Sequence, residues 1–89
     1  MALDRKLIYW CFERDNWRCR HCRDTSSLHP HHVIYKSHGG LDRLDNLITL
    51  CVQCHMEGIH AGNLDIEVLQ LLEDDLRVKF IRKDGWKPK

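Results

Sequence analysis

The sequence predicts an α+β fold too small to hold together on its core alone, and three observations carry that reading. Apolar side chains recur at helical spacing near the N-terminus, later segments run or alternate as strands do, and two Cys-x2-Cys pairs stand far apart in the chain. A chain of 89 residues buries only about 60% of the surface its unfolded form exposes, so chains of this size commonly carry a metal or disulfide staple. With 43% hydrophobic and 30% charged residues, the composition fits one globular domain over residues 1–89, without repeats or low-complexity runs.

The elements follow in chain order. Leu3, Leu7, Ile8, Cys11 and Phe12 recur between charged residues and predict an amphipathic helix over 4–16, with Cys11 read as a small buried hydrophobe. Trp17 leads into the tight turn Cys19-Arg20-His21-Cys22. Residues 28–35, apolar and β-branched, predict a short strand, and Ser37-His38-Gly39-Gly40 predicts a loop because paired glycines break regular structure. Residues 45–50 continue that loop and return as a second strand, after which Cys51-Val52-Gln53-Cys54 opens a helix ending between Gly58 and Gly62. In the extension 63–89, Leu64, Ile66 and Val68 alternate, as do Leu76, Val78 and Phe80, and this predicts a β-hairpin. Val68, Leu69, Leu71 and Leu72 would also fit one face of a short helix, so the hairpin is the preferred of two readings. Trp86 is expected to pack on the domain.

The cysteines come first chemically. Cys19 and Cys22 form one knuckle, Cys51 and Cys54 another, with 28 residues between them. Two residues between thiolates let both sulfurs reach one tetrahedral ion about 2.3 Å away. Four thiolates close the coordination sphere, so this is expected to be a structural Zn2+ whose binding contributes on the order of 10 kcal/mol to folding. A pair of redox dithiols is the weaker alternative, because no βαβ context accompanies the knuckles. No stretch is apolar over membrane-spanning length and the N-terminus lacks a signal-peptide core, so the chain reads as intracellular and cytoplasmic, without a membrane partner.

The histidines form a second set: His29-Pro30-His31-His32 lies between the knuckles and His55 follows Cys54 directly. If the knuckles share one ion, His55 is drawn toward the strand that carries His31 and His32. Consecutive strand residues point to opposite faces, so His31 and His32 must differ in role, one fit to bind a metal and the other to reach a substrate. His21 and His29 are read as surface residues.

His31-His32-Val33-Ile34, Gly39-Gly40, Asn46-Leu47, Leu50-Cys51-x2-Cys54-His55 and His60 together resemble the HNH endonuclease family, in its zinc-containing four-cysteine form. Asn46 stands 14 positions after His32, and His55 nine after Asn46. The resemblance covers 19–60 and implies a ββα-metal finger: two antiparallel strands, a loop, and a helix cradling one catalytic divalent ion. It implies hydrolysis of DNA phosphodiester bonds by a single-metal mechanism. His32 would be the general base, a role that suits a histidine because the unperturbed imidazole, with a pKa of about 6.5, is mostly neutral at working pH. His31 and His55 would be metal ligands, and Asn46 the central asparagine that pins the loop and orients the base by accepting a proton from the His32 ring. His60 departs from the pattern. Relatives place a further histidine four residues after the helix ligand, whereas here the gap is five, which on an ideal α-helix turns the side chain roughly 140° away. A bulge or break at Gly58 would restore its reach. The catalytic ion could be Mg2+, Mn2+, Ni2+ or Zn2+.

The net charge of +1 argues nothing for nucleic acid, but both ends are basic, with six Lys/Arg from Arg77 to Lys89 against Asp84 alone. The expected partner is double-stranded DNA, with Lys36, Arg43, Arg82 and Lys83 as candidate phosphate contacts and His38 as a further possible one. So small a surface reads little sequence by itself, and a homodimer or partner protein would enlarge it. The competing reading is a non-catalytic zinc module that docks on nucleic acid or protein. It needs the cysteines but leaves His31, His32, Asn46 and His55 without a purpose.

Overall fold

The computed structural model describes residues 3–89. Helix α1 (Arg5–Arg14) is followed by strand β1 (Leu28–His32), strand β2 (Leu47–Cys51), helix α2 (Gln53–His60) and the strands β3 (Leu64–Leu72) and β4 (Asp75–Arg82). β1 and β2 form one antiparallel pair and β3 and β4 another. The result is a small mixed fold of helices and two-stranded sheets, as the sequence pattern requires. No helix among the described residues is long and apolar enough to cross a membrane.

Helix α1 begins at Asp4, whose extended backbone and side chain accepting the Lys6 N–H at 2.7 Å make a standard N-cap. It stops short of the expected residue 16 because the chain turns left-handed at Asn16 and Trp17 (φ 58° and 55°). The helix lies against β2: Cys11 is fully buried with its sulfur 3.5 Å from Thr49 Oγ1. Burial pushes the Cys11 thiol up, so it sits there as a neutral packing group, as its place on the apolar face suggested.

β2 is the only strand whose residues are all buried among the described residues. One of its edges pairs with β1, from Leu28 opposite Cys51 to His32 opposite Leu47. The other edge is closed without a strand. Asp15 Oδ2 accepts the Thr49 N–H at 3.0 Å, and the Arg20 N–H donates to the Thr49 carbonyl at 2.9 Å. An edge so covered cannot template pairing with another chain. β1 ends at His32, three residues short of the expected strand over 28–35. Beyond it the Val33 N–H goes to the Asn46 carbonyl and the Ile34 N–H to the Asn46 side chain, so loop contacts replace the ladder.

The tail forms the hairpin, closed by Glu73-Asp74 with Asp74 in the left-handed region (φ 59°) and bulged between Val68 and Gln70. Period-2 burial wins over the helical alternative because Leu64 and Leu76 enter the core while Leu69 and Leu71 remain exposed. Leu64 and Leu76 join Cys19, Ile48, Leu50 and Cys54 in one cluster, with Trp86 packed against it as expected.

A charged network ties the parts together. Arg14 donates to the carbonyls of Leu44 (2.7 Å), Leu47 (2.6 Å) and Asp74 (3.2 Å) and pairs with Asp15 at 2.9 Å. Arg20 bonds Asp75 at 3.1 Å and the Leu76 carbonyl at 2.9 Å. One guanidinium thus joins α1, the loop before β2 and the hairpin turn. Arg14→Ala removes the guanidinium from three carbonyls and from the nearly buried Asp15 carboxylate, which keeps the Thr49 N–H and the longer Arg20 contact at 3.5 Å. It is expected to lower stability by about 3 kcal/mol, read as a shifted urea midpoint with an unchanged slope.

Candidate functional site

The two knuckles meet. The four sulfurs of Cys19, Cys22, Cys51 and Cys54 lie within 4.8 Å of one another, three of these residues being buried. Cys22 Sγ and Cys51 Sγ are 3.5 Å apart, close to the roughly 3.8 Å that separates two sulfurs on one tetrahedral zinc. The knuckle backbones turn inward: the N–H groups of His21 and Cys22 donate to Cys19 Sγ at 3.4 and 3.5 Å, and Cys54 N–H to Cys51 Sγ at 3.4 Å. Burial and neighbouring thiols push Cys22 up to about 11 and Cys54 well above its ordinary value, while Cys19 is drawn down by those N–H donors despite its burial. Sulfurs so crowded cannot all ionise unless a cation lies among them, which is the electrostatic condition a zinc ion meets.

His21 corrects an expectation. It is not a free surface residue: its Nδ1 lies 3.3 Å from Cys54 Sγ, and its ring stacks on Trp86 and meets the edge of Phe80. The hairpin and the following Trp86 therefore cover the cysteine cluster through His21.

The second cluster is built on β1 and α2. His31 shares its face of the β1–β2 pair with Ile48, while His32 shares the opposite face with Leu47. His31 is 4% exposed, and its ring nitrogens come together with those of His55 and His60 within 4.8 Å. The five-residue gap does not separate His55 from His60, because α2 is wound as a π-helix. In an i→i+5 helix, residues five apart are neighbours on successive turns, and the two Nε2 atoms are 3.1 Å apart. Gly58 lies inside this helix rather than ending it. Its Cα faces Leu64 and Trp86 so closely that an added Cβ would stand 3.1 Å from each.

Two Nε2 atoms at that distance need a proton or a cation between them, and imidazoles sharing an ion at about 2.0–2.1 Å stand at a similar separation. Burial, then the neighbouring imidazoles, lowers His31 to about 4, and burial with His60 and His29 does the same for His55. Both rings are thus neutral near pH 7, with lone pairs available to a cation. His29, expected on the surface, is half-buried with Nδ1 3.0 Å from His55 Nδ1, on the face of β1 that carries His31.

His32 stands apart from this trio but lines the same cleft of about 230 Å3, together with His31, Tyr35, Lys36, His55 and His60. Its ring partner differs from the expected one. Asn46 does not touch His32. It is buried, accepts the Ile34 N–H at 2.8 Å, and donates to the carbonyls of Ile34 and Leu41, each at 3.0 Å. His32 Nε2 instead meets Asp42 Oδ1 at 2.7 Å, and Asp42 Oδ2 meets Lys36 Nζ at 3.2 Å. Those two partners, His32 foremost, hold the Asp42 carboxyl below the usual carboxylate range. The loop that carries Asp42 closes through Gly40, where a Cβ would collide with the Ile34 carbonyl at 1.8 Å. Lys36 therefore sits at the cleft, while Arg43 is exposed and paired with Asp45. Arg82 and Lys83 are exposed at the far end of β4, Arg82 beside His21. The four basic candidates do not converge on one spot. His38 is exposed in a short turn beside Tyr35.

The HNH endonuclease family model matches residues 19–57, from the first knuckle into α2. This chain belongs to the HNH family. Two curated relatives are similar to it. The type IV methyl-directed restriction enzyme EcoKMcrA of Escherichia coli K12 is 31% identical over a match covering 78% of this HNH chain and 28% of that protein. Anaredoxin of Nostoc sp. PCC 7120 is 34% identical over 61% of this chain and 71% of its own length. The chain thus spans little more than a quarter of the restriction enzyme. No solved structure gives a significant match.

Asp42 and His29 escaped sequence reasoning. His29 was readable, since a residue two before His31 on a strand shares its face. Asp42 was not, because only the folded loop returns it to the strand end.

Two outcomes follow. Stripping metal with a strong chelator, or Cys54→Ser, should unfold the chain, with zinc release measured by a chromophoric chelator and loss of structure by circular dichroism. The contribution at stake is on the order of 10 kcal/mol. Asn46→Ala leaves one N–H and two carbonyls of the loop unpaired and is expected to cost about 2 kcal/mol in urea unfolding.

Proposed function

We propose that this HNH-family chain is a metal-dependent DNA endonuclease built on a ββα-metal finger formed by β1, β2 and α2. The observation that carries the proposal is the cleft in which the metal-competent imidazoles of His31, His55 and His60 adjoin a fourth, His32, held outside their cluster. That division of labour is what a single-metal hydrolase with a histidine base requires. The restriction enzyme among its relatives supports DNA as the polymer, and the reading takes it to be double-stranded.

In this reading, His31, His55 and His60 hold the catalytic divalent ion, Mg2+, Mn2+, Ni2+ or Zn2+, and the cysteines hold structural Zn2+. The ion supplies Lewis-acid stabilisation of charge on the phosphate and on the departing 3′ oxygen. His32 takes a proton from a water as the water oxygen bonds to phosphorus; the P–O3′ bond breaks, and the 3′ oxygen is protonated by solvent. Asn46 shapes the loop that keeps His32 at the cleft. Lys36 is the basic candidate placed to meet a phosphate near the cut, with Arg43, Arg82 and Lys83 as more distant contacts.

The test uses zinc-loaded protein, added Mg2+, Mn2+ or Ni2+, and supercoiled plasmid. Nicking or linearisation is expected, and His32→Ala should slow it by about 10²–10⁴-fold with zinc content and circular dichroism unchanged. Lack of cleavage of any DNA form with every metal, or an equally active His32→Ala variant, overturns the proposal. Metal counting separates the rival reading: a purely docking zinc module holds one tight zinc, whereas the nuclease also binds a second, exchangeable ion.

A further inference from the structure

We propose that Asp42 is the positioning residue for His32, fixing its ring as the Nε2–H tautomer so that Nδ1 is the atom that receives the proton from water. This rests on the reading of His32 as the general base and adds the residue, the tautomer and the atom.

The contact is a short one, 2.7 Å from His32 Nε2 to Asp42 Oδ1. An ionised carboxylate can only accept, so the imidazole nitrogen facing it must bear the hydrogen. A neutral ring has one proton, and with Nε2 protonated the lone pair lies at Nδ1. Asp42 is itself held. Its second oxygen accepts from Lys36 Nζ at 3.2 Å, and the preceding Leu41 carbonyl is clamped by the Asn46 side chain at 3.0 Å. Two residues back, Gly40 admits no side chain against the Ile34 carbonyl. The carboxylate is thereby fixed at both oxygens and through its backbone. This is the arrangement by which a second partner orients a working imidazole, with losses of 10- to 100-fold when it is removed.

The geometry also accounts for Asn46. The asparagine reaches His32 at one remove, by holding the loop strand from which Asp42 points. When water gives up its proton to Nδ1, the ring becomes an imidazolium whose Nε2–H remains donated to Asp42, so the carboxylate stabilises the charge without taking the proton.

Long-range 1H–15N correlation spectra of zinc-loaded, 15N-histidine-labelled protein at about pH 8, where histidine is neutral, read the tautomer directly without DNA. The His32 signals are assigned by their absence from His32→Ala. The expected result is a single Nε2–H form in the wild type and a mixture, or the Nδ1–H form, in Asp42→Ala. Asp42→Ala should lower kcat for plasmid nicking by about 10–100-fold with KM within about twofold, and Asp42→Asn, which keeps a carbonyl acceptor, should recover part of the loss. A wild-type Nδ1–H tautomer, an unchanged tautomer in Asp42→Ala, or a fall confined to KM overturns the inference. An active His32→Ala variant instead overturns the base reading beneath it, and the spectra still decide whether Asp42 sets the tautomer.

Discussion

Four cysteine sulfurs gathered at the junction of β2 and α2 impose the condition on which the remaining architecture rests: in so small a volume they can all ionise only with a cation among them. Satisfying that condition draws the turn at Cys19–Cys22 onto Cys51 and Cys54, and with it the start of α2. Because Leu28 stands opposite Cys51, the same closure sets β1 beside the helix, and His31 meets His55 and His60. The metal-competent trio is thus a geometric by-product of the staple. A thin core suffices where four cysteines positioned to bind a metal ion can hold the parts in place.

Polar contacts supply what that core lacks. Arg14 and Arg20 with Asp15 and Asp75 link helix, knuckle and hairpin, and Asp15 also closes the free edge of β2. Buried charge of this kind is costly to assemble but strongly destabilising to interrupt, so it specifies one arrangement more than it adds stability. In the loop between β1 and β2 the same logic runs through amides: Asn46 bonds Ile34 and Leu41 and replaces the missing ladder. The cleft is therefore walled on one side by coordination chemistry and on the other by backbone hydrogen bonds, leaving His32 between them.

Much of this was legible in the residues. The two knuckles, the N-terminal amphipathic face and the period-2 tail each express a local rule, and the structure contains the helix, the paired strands and the hairpin those rules describe. The placement of His31 and His32 on opposite faces of β1 was readable from strand alternation alone. What escaped depended on distant neighbours. His21 looked solvated because nothing in Cys19-Arg20-His21-Cys22 announces Phe80 and Trp86, 59 and 65 residues on in the chain. Asp42 looked like loop surface because its meaning depends on a turn closed by Gly40 and Asn46. The reach of His60 stayed open in the sequence because helical wheel arithmetic assumes a winding that α2 does not adopt.

That winding has a consequence for how such a site accommodates change. A helix able to pass from i→i+4 to i→i+5 bonding absorbs one extra residue within a single turn, leaving both flanking side chains on the same side. The spacing between His55 and His60 is then a property of pitch as much as of residue count, and an insertion that would scramble an ordinary helix registers here only as a local widening. Gly58 lies within that winding, where an added Cβ would stand 3.1 Å from Leu64 and from Trp86.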